Sequence, residues 1–241
     1  MLNHLEDGNI FLLFVVSIVE RVMKSLMRDK DNIEKYSIGE EIANSITHGI
    51  GALLSLGGAV VLIIFSASHG GAIEILSTVI YGISLFVLYM NSTLYHAIQH
   101  KTAKYILEIL DHSSIYLLIA GSYTPFLLVA IGGKLGLIFL SIIWSLAIAG
   151  IVFKVFFVKK FVFLSTLLYI LMGWLVILIF KPLTQNTSRD IIFMLVIGGL
   201  MYTFGAVFYV WRSFKYHHMI WHLFVLFGSV AHYFAILKLL I

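Results

Sequence analysis

Long apolar runs separated by short polar breaks recur along this chain. Seven of them meet or approach the roughly 20 residues that an α-helix needs to cross a bilayer at about 1.5 Å per residue. The predicted spans are Ile42–Ser68, Ala72–Ile98, Tyr105–Ile131, Leu135–Phe153, Phe161–Phe180, Ile191–Trp211 and His218–Leu240. The breaks are short and contain Gly, Lys, Asn, Ser or Pro, as in His69-Gly70-Gly71, Gly132-Gly133-Lys134 and the stretch from Lys181 to Asp190. Barrel-type alternation is not seen, so the spans must be helices that satisfy their own backbone hydrogen bonds. Pro125 predicts a kink in the third span. The apolar run from Ile10 to Val19 is too short to span and leads into Glu20, Arg21, Lys24, Arg28 and Lys30, which suits a helix lying in the membrane interface. With Glu6 and Asp7 ahead of that run and no clear small-residue cleavage site after it, it does not read as a cleaved signal peptide. The expected fold is therefore all-α: an N-terminal segment over residues 1–40, then a seven-helix transmembrane bundle over residues 41–241, with no internal repeat.

Composition agrees with this pattern. A chain that is 61% hydrophobic and 12% charged has too little polar surface to cover a soluble domain, so its solvent is mostly lipid. The absence of cysteine excludes disulfides, thiolate metal sites and a cysteine nucleophile, and leaves nitrogen and oxygen as the ligands for any metal. The net charge of +4 does not indicate nucleic acid, because the basic residues are scattered over loops instead of forming a patch. Their distribution is a topology signal. With the N-terminus in the cytoplasm, that side holds Arg21, Lys24, Arg28, Lys30, Lys35, Lys101, Lys104, Lys154, Lys159, Lys160, Arg212 and Lys215. The other side holds Lys134, Lys181, Arg189 and Lys238, and twelve against four puts the N-terminus in and the C-terminus out.

This topology brings distant residues to one depth. The second span leaves at the cytoplasmic face carrying Ser92 and His96, the third re-enters carrying Asp111 and His112, and the seventh enters carrying His217, His218 and His222. Glu40, Glu41 and His48 lie at the inner start of the first. Ser92 with His96, and His218 with His222, are spaced i,i+4 and so share helix faces. Three imidazoles and one water is a common zinc arrangement, which His96, His218 and His222 would supply. Asp111 is the candidate to take a proton from that water, with Ser92 beside it as a hydrogen-bonding partner. The plainer reading is that ten histidines generate some such pairs by chance and that polar groups in a bundle simply bond neighbouring helices. Convergence favours the metal, because ionisable groups in lipid cost about 2.5 kcal/mol or more unless they face a cavity, a partner or an ion. His232 lies ten residues beyond His222, about 15 Å along the helix, and is expected to be an interhelical donor. His48 and His112 are expected around the centre or at the interface, and Glu41 as a favourable charge at a helix N-terminus.

At these same residues the sequence resembles the hemolysin III family, within the wider progestin and adipoQ receptor group. The matching stretches are GEEIANSITHGIGA (Gly39 to Ala52), STLYHA (Ser92 to Ala97), LDHSSIYLLIAGSYTPF (Leu110 to Phe126) and HMIWHLFVLFGSVAHYFAI (His218 to Ile236). The resemblance implies a zinc near the cytoplasmic face of a bacterial plasma membrane, held by His96, His218 and His222, with Ser92 and Asp111 as the other polar positions around it. It also implies kinship with membrane hydrolases that act on lipid amides or esters. The family name implies cytolysis, and a role in membrane lipid homeostasis is attached to such proteins. The leading expectation is a zinc-dependent lipid hydrolase with membrane lipid as its substrate. HMIWH has no internal Glu of the HExxH kind, so the base must come from another helix, and Asp111 is that base. Two alternatives are a pore-forming cytolysin, which needs a polar path that the nearly uncharged outer halves of the spans do not offer, and a lipid sensor with structural zinc. A retinal protein is disfavoured because Lys238 stands at the very end of the seventh span.

Overall fold

The structure, a computed structural model, describes residues 36–241. Among these residues seven helices are long and apolar enough to cross a membrane. They are α1 (Ile38–His69), α2 (Ala72–Ala97), α3 (Lys101–Ile131), α4 (Gly133–Phe157), α5 (Val162–Asn186), α6 (Arg189–Val210) and α7 (His217–Leu239). Every predicted span is present and no strand occurs among the described residues. The interfacial helix predicted at Ile10–Val19 lies outside them.

The helices form an antiparallel bundle with an apolar exterior and an interior that mixes polar groups with apolar clusters. Leu53, Phe163, Leu178 and Phe193 present their side chains outward, which suits lipid and would be a liability in water. The buried positions of α1 include Glu41, Asn44, His48, Gly51, Ser55, Leu62 and Ser66, a helical stripe of mostly small or polar residues. α2 likewise buries small and polar residues, among them Thr78 and Gly82 against α1 and Ser84 and Ser92 towards α3. Small residues let the two backbones approach, and hydroxyl contacts such as Ser66 Oγ to Thr78 Oγ1 at 3.0 Å bind them where hydrophobicity cannot.

α3 is the most enclosed span, packed against α2, α4 and α5, its far end reaching α7. Pro125 lacks an N–H, and the winding changes from α to π over Phe126–Ile131 immediately after it. Gly132 and Gly133 then turn the chain with φ of 61° and 54°, conformations that cost a side-chain-bearing residue dearly. α4 passes so close to the π-wound segment that a Cβ on Gly136 would lie 2.1 Å from the Leu127 carbonyl oxygen. Since backbone cannot swing aside, Gly136→Val should destabilise the protein by about 1–3 kcal/mol. Thermal unfolding in detergent, with Gly57→Ala at an open position as control, measures this.

α5 carries a 3₁₀ interruption at Trp174–Ile179 and resumes as helix over Phe180–Asn186, so part of the predicted Lys181–Asp190 connection is helical. Tyr123 of α3 repairs the break, its hydroxyl accepting from the Val176 N–H and donating to the Gly173 carbonyl, both at 2.7 Å.

Two basic residues depart from expectation. α4 runs a full turn past the predicted end at Phe153, because the apolar stretch resumes after Lys154, which is fully buried. Lys104 is buried as well. Both leave the tally of interfacial charge, which becomes ten against four.

Candidate metal centre

The local structure at the start of α1 sets the geometry. Ser37 caps the helix, its hydroxyl facing the Glu40 N–H, while the Glu40 carboxylate accepts from the Ser37 N–H at 3.0 Å. Glu40 also accepts at 3.0 Å from the N–H of Tyr216, which has a left-handed φ of 63°. This bond compensates a conformation that is costly for an aromatic residue and fixes the first turn of α7 against α1. Glu40 thus makes the capping contacts, and Glu41 stands beside it as an acidic residue of the first turn, as expected. Glu41 turns inward, and its carboxylate bridges His96 Nδ1 at 2.7 Å and Lys104 Nζ at 2.7 Å. Lys104 completes its shell with the Tyr95 carbonyl at 3.0 Å and the Tyr95 ring.

His96, His218 and His222 are buried, and their ligand atoms all lie within 4.8 Å of one another. The outer nitrogen of each ring has a partner. The Glu41 carboxylate holds His96 Nδ1, the Asn44 carbonyl lies 3.2 Å from His222 Nδ1, and the Tyr36 hydroxyl lies 3.1 Å from His218 Nδ1. A carboxylate and a backbone carbonyl can only accept, so the proton sits on Nδ1 in His96 and His222 and the lone pair is on Nε2. His218 takes the same tautomer when Tyr36 accepts. Three imidazoles with Nδ1 anchored outward and Nε2 available as lone-pair donor have the outer support that histidine metal ligands require, so the cluster can hold a metal ion.

Asp111 is buried on α3, and Ser92 of α2 sits within electrostatic reach of it, although the hydroxyl makes no hydrogen bond of ordinary geometry. Lys154 Nζ lies within electrostatic reach of Asp111, Glu108 and His112 and 5.9 Å from the centre of the Tyr169 ring. Glu108 has Lys159 at 3.8 Å. His112 is fully engaged, with Nδ1 2.7 Å from the Glu108 carbonyl and Nε2 3.0 Å from the Tyr209 hydroxyl, so it joins α3 to α6. His232 stands apart as expected, 3.2 Å from the Leu195 carbonyl of α6.

From this centre an apolar cavity of about 210 Å³ runs into the bundle. His48, Asp111, His112 and His218 line its head, and Leu118, Phe126, Ile179, Leu183 and Ile192 are among the residues lining its body. Its wall follows α3 from Asp111 to Phe126, about 22 Å of helix at the α-helical rise.

The profile of the family described as haemolysin-III related matches residues 36–233. The chain belongs to the haemolysin III family. It is 54% identical over 202 residues to a hemolysin-3 homolog of Bacillus subtilis, covering 84% of this chain and 95% of the relative. It is 51% identical over 200 residues to hemolysin-3 of Bacillus cereus, covering 83% and 91%. The human monocyte to macrophage differentiation factor is 30% identical over 207 residues, covering 83% of this chain and 84% of the relative. Seven spanning helices together with these bacterial relatives make this haemolysin III protein an integral bacterial membrane protein.

Several residues around this haemolysin III centre escaped the sequence reading. Asn44 supplies its carbonyl to His222, and its position three after Glu41 and four before His48 makes one helical stripe that was legible in principle. Tyr36 precedes the predicted helix start. Lys104 and Lys154 look like topology charges in a hydropathy pattern, and nothing local distinguishes them from solvated ones.

Proposed function

We propose that this protein is a zinc-dependent hydrolase of membrane lipid amides or esters, with its centre near the cytoplasmic face. The observation that carries this reading is that His218 of the metal cluster and Asp111 line the head of one largely apolar cavity. Zinc suits the donor set, since it accepts imidazole nitrogen readily and three-histidine sites leave a position open for chemistry; bound there, it would polarise an acyl carbonyl and make water more acidic. The protein's own residues do the rest. The apolar walls take the acyl chain and keep bulk water out. Asp111 takes a proton from water and returns it to the leaving amine or alcohol. Ser92 orients the Asp111 carboxyl, and Lys154 supplies a charge near it. Glu41 holds His96 in its tautomer. The excess of basic residues on the N-terminal side supports a cytoplasmic N-terminus and hence a cytoplasmic centre.

The test is release of fatty acid from a mixture of bacterial lipids and N-acyl amides by protein in proteoliposomes, followed by mass spectrometry. Asp111→Asn should keep its zinc while turnover falls roughly 10²–10⁴-fold, the usual contribution of a positioned acid–base group. Wild-type protein that holds zinc and releases nothing from any lipid class favours the second reading, in which the metal is a staple. That reading has its own support, because the ligands come from α2 and α7, which otherwise pack on each other sparsely. The cytolytic name of the relatives suggests a pore, but the apolar cavity walls weigh against a water-filled path.

A further inference from the structure

We propose that His48 is the hydrogen-bonding contact for the polar head of the molecule that occupies the apolar cavity, facing it from α1 while His218 of the metal cluster and Asp111 face it from α7 and α3. His48 is buried, at 3% exposure, and neither of its ring nitrogens makes a hydrogen bond of ordinary geometry among the described residues, although the His222 backbone lies within electrostatic reach. Whatever its protonation state, an imidazole carries at least one N–H, and a buried donor left unmade is a standing cost that native proteins rarely accept. Other buried side chains share this condition, Tyr81, Ser113, Tyr116 and Lys154 among them, but they do not line the cavity. His48 does line it. Of the two such groups that do so among the described residues, His232 bonds the Leu195 carbonyl through its other nitrogen, whereas neither nitrogen of His48 makes a bond of ordinary geometry.

Nor is the ring free to turn away. It stacks on His222 with centroids 3.5 Å apart and planes 12° from parallel, and the Tyr89 ring meets it edge-on at 5.0 Å. Its in-plane donors and acceptors are thereby held in a set orientation beside a residue of the metal cluster. A partner of good geometry can come from the cavity, whose body is largely apolar and whose head gathers the imidazoles of His48, His112 and His218 with the Asp111 carboxylate. The chemistry that fits is a single-chain amphiphile whose carbonyl, amide or hydroxyl lies at the metal end and whose hydrocarbon fills the remainder.

The inference rests on reading the histidine cluster as a zinc site and the cavity as the lipid site, and the experiment separates the two failures. Two probes share a tail and both bind zinc: a long-chain acyl hydroxamate, whose head offers oxygen and N–H groups to His48, and the matching alkyl thiol, whose head offers neither. Binding of each to detergent-purified full-length protein is measured by calorimetry alongside zinc content. His48→Phe keeps an aromatic ring against His222 and removes the hydrogen bond. It should retain zinc, weaken the hydroxamate roughly tenfold, equivalent to about 1.4 kcal/mol, and leave the thiol unchanged. His48→Gln, which restores an amide donor and acceptor, should recover most of the difference. Equal weakening of both probes, or loss of zinc in His48→Phe, makes His48 a support for His222 and overturns the proposal, as does hydroxamate binding that does not change. Wild-type protein that holds no zinc overturns the reading beneath it, and this proposal with it.

Discussion

Protein purified in detergent should carry about one zinc per chain, and His96→Ala or the pair His218→Ala/His222→Ala should carry almost none. Each of these changes removes a nitrogen donor from a three-histidine set whose ligand atoms lie within 4.8 Å of one another, and a tetrahedral zinc site rarely survives with two protein ligands or fewer. Metal analysis by mass spectrometry reads the result directly. His232→Ala is the control, because that ring bonds the Leu195 carbonyl about 15 Å along α7 from His222. Zinc missing from folded wild-type protein would falsify the metal reading, and zinc retained in His96→Ala would move the site elsewhere.

The second large effect should follow from Glu41→Ala. This carboxylate is the shared partner of His96 and Lys104, each at 2.7 Å, with both side chains nearly inaccessible. Deleting it strands the Lys104 ammonium in the interior with, among the described residues, the Tyr95 carbonyl and ring as its remaining partners. Breaking a buried pair from one side costs about 3–5 kcal/mol, because the surviving charge has no solvent to return to. The same deletion releases His96 Nδ1, and losing such an outer partner weakens metal affinity roughly 10- to 100-fold. Thermal unfolding and competition with a chelator measure the two consequences separately. Glu41→Ala/Lys104→Met should recover much of the stability and little of the metal affinity, since only the histidine still lacks its anchor. If the double variant regains both, Glu41 serves the fold alone.

The spans were legible because lipid imposes a length and a composition on each of them. The histidine cluster was legible because alternate crossing forces the ends of the second and seventh spans to the same depth, where i,i+4 spacing aligns the rings. The charges beside it were not. Glu41 and Lys104 stand 63 residues apart, and a sequence shows each only as a polar residue near the end of an apolar run, where solvated charges are common. Lys154 was placed in a connection because one lysine lowers the local hydropathy, although three apolar residues follow it before α4 ends. Pro125 announced a disturbance in α3 but not that it would take the form of a π-wound turn. The 3₁₀ interruption of α5 had no signal of its own, since the hydroxyl that stabilises it belongs to Tyr123 on another helix.

The chain order of the centre has a consequence for biosynthesis. Its anchoring groups come from α1 and the residues just before it and its first histidine from α2, yet two of its three histidines arrive with α7, the last of the described spans. A nascent chain can insert most of its length and still have nothing with which to retain the ion. A metal that needs all three histidines would be captured only once α7 has joined the bundle, so a polypeptide that stalls before His218 would bring Glu41, Lys104 and His96 together without the other two donors.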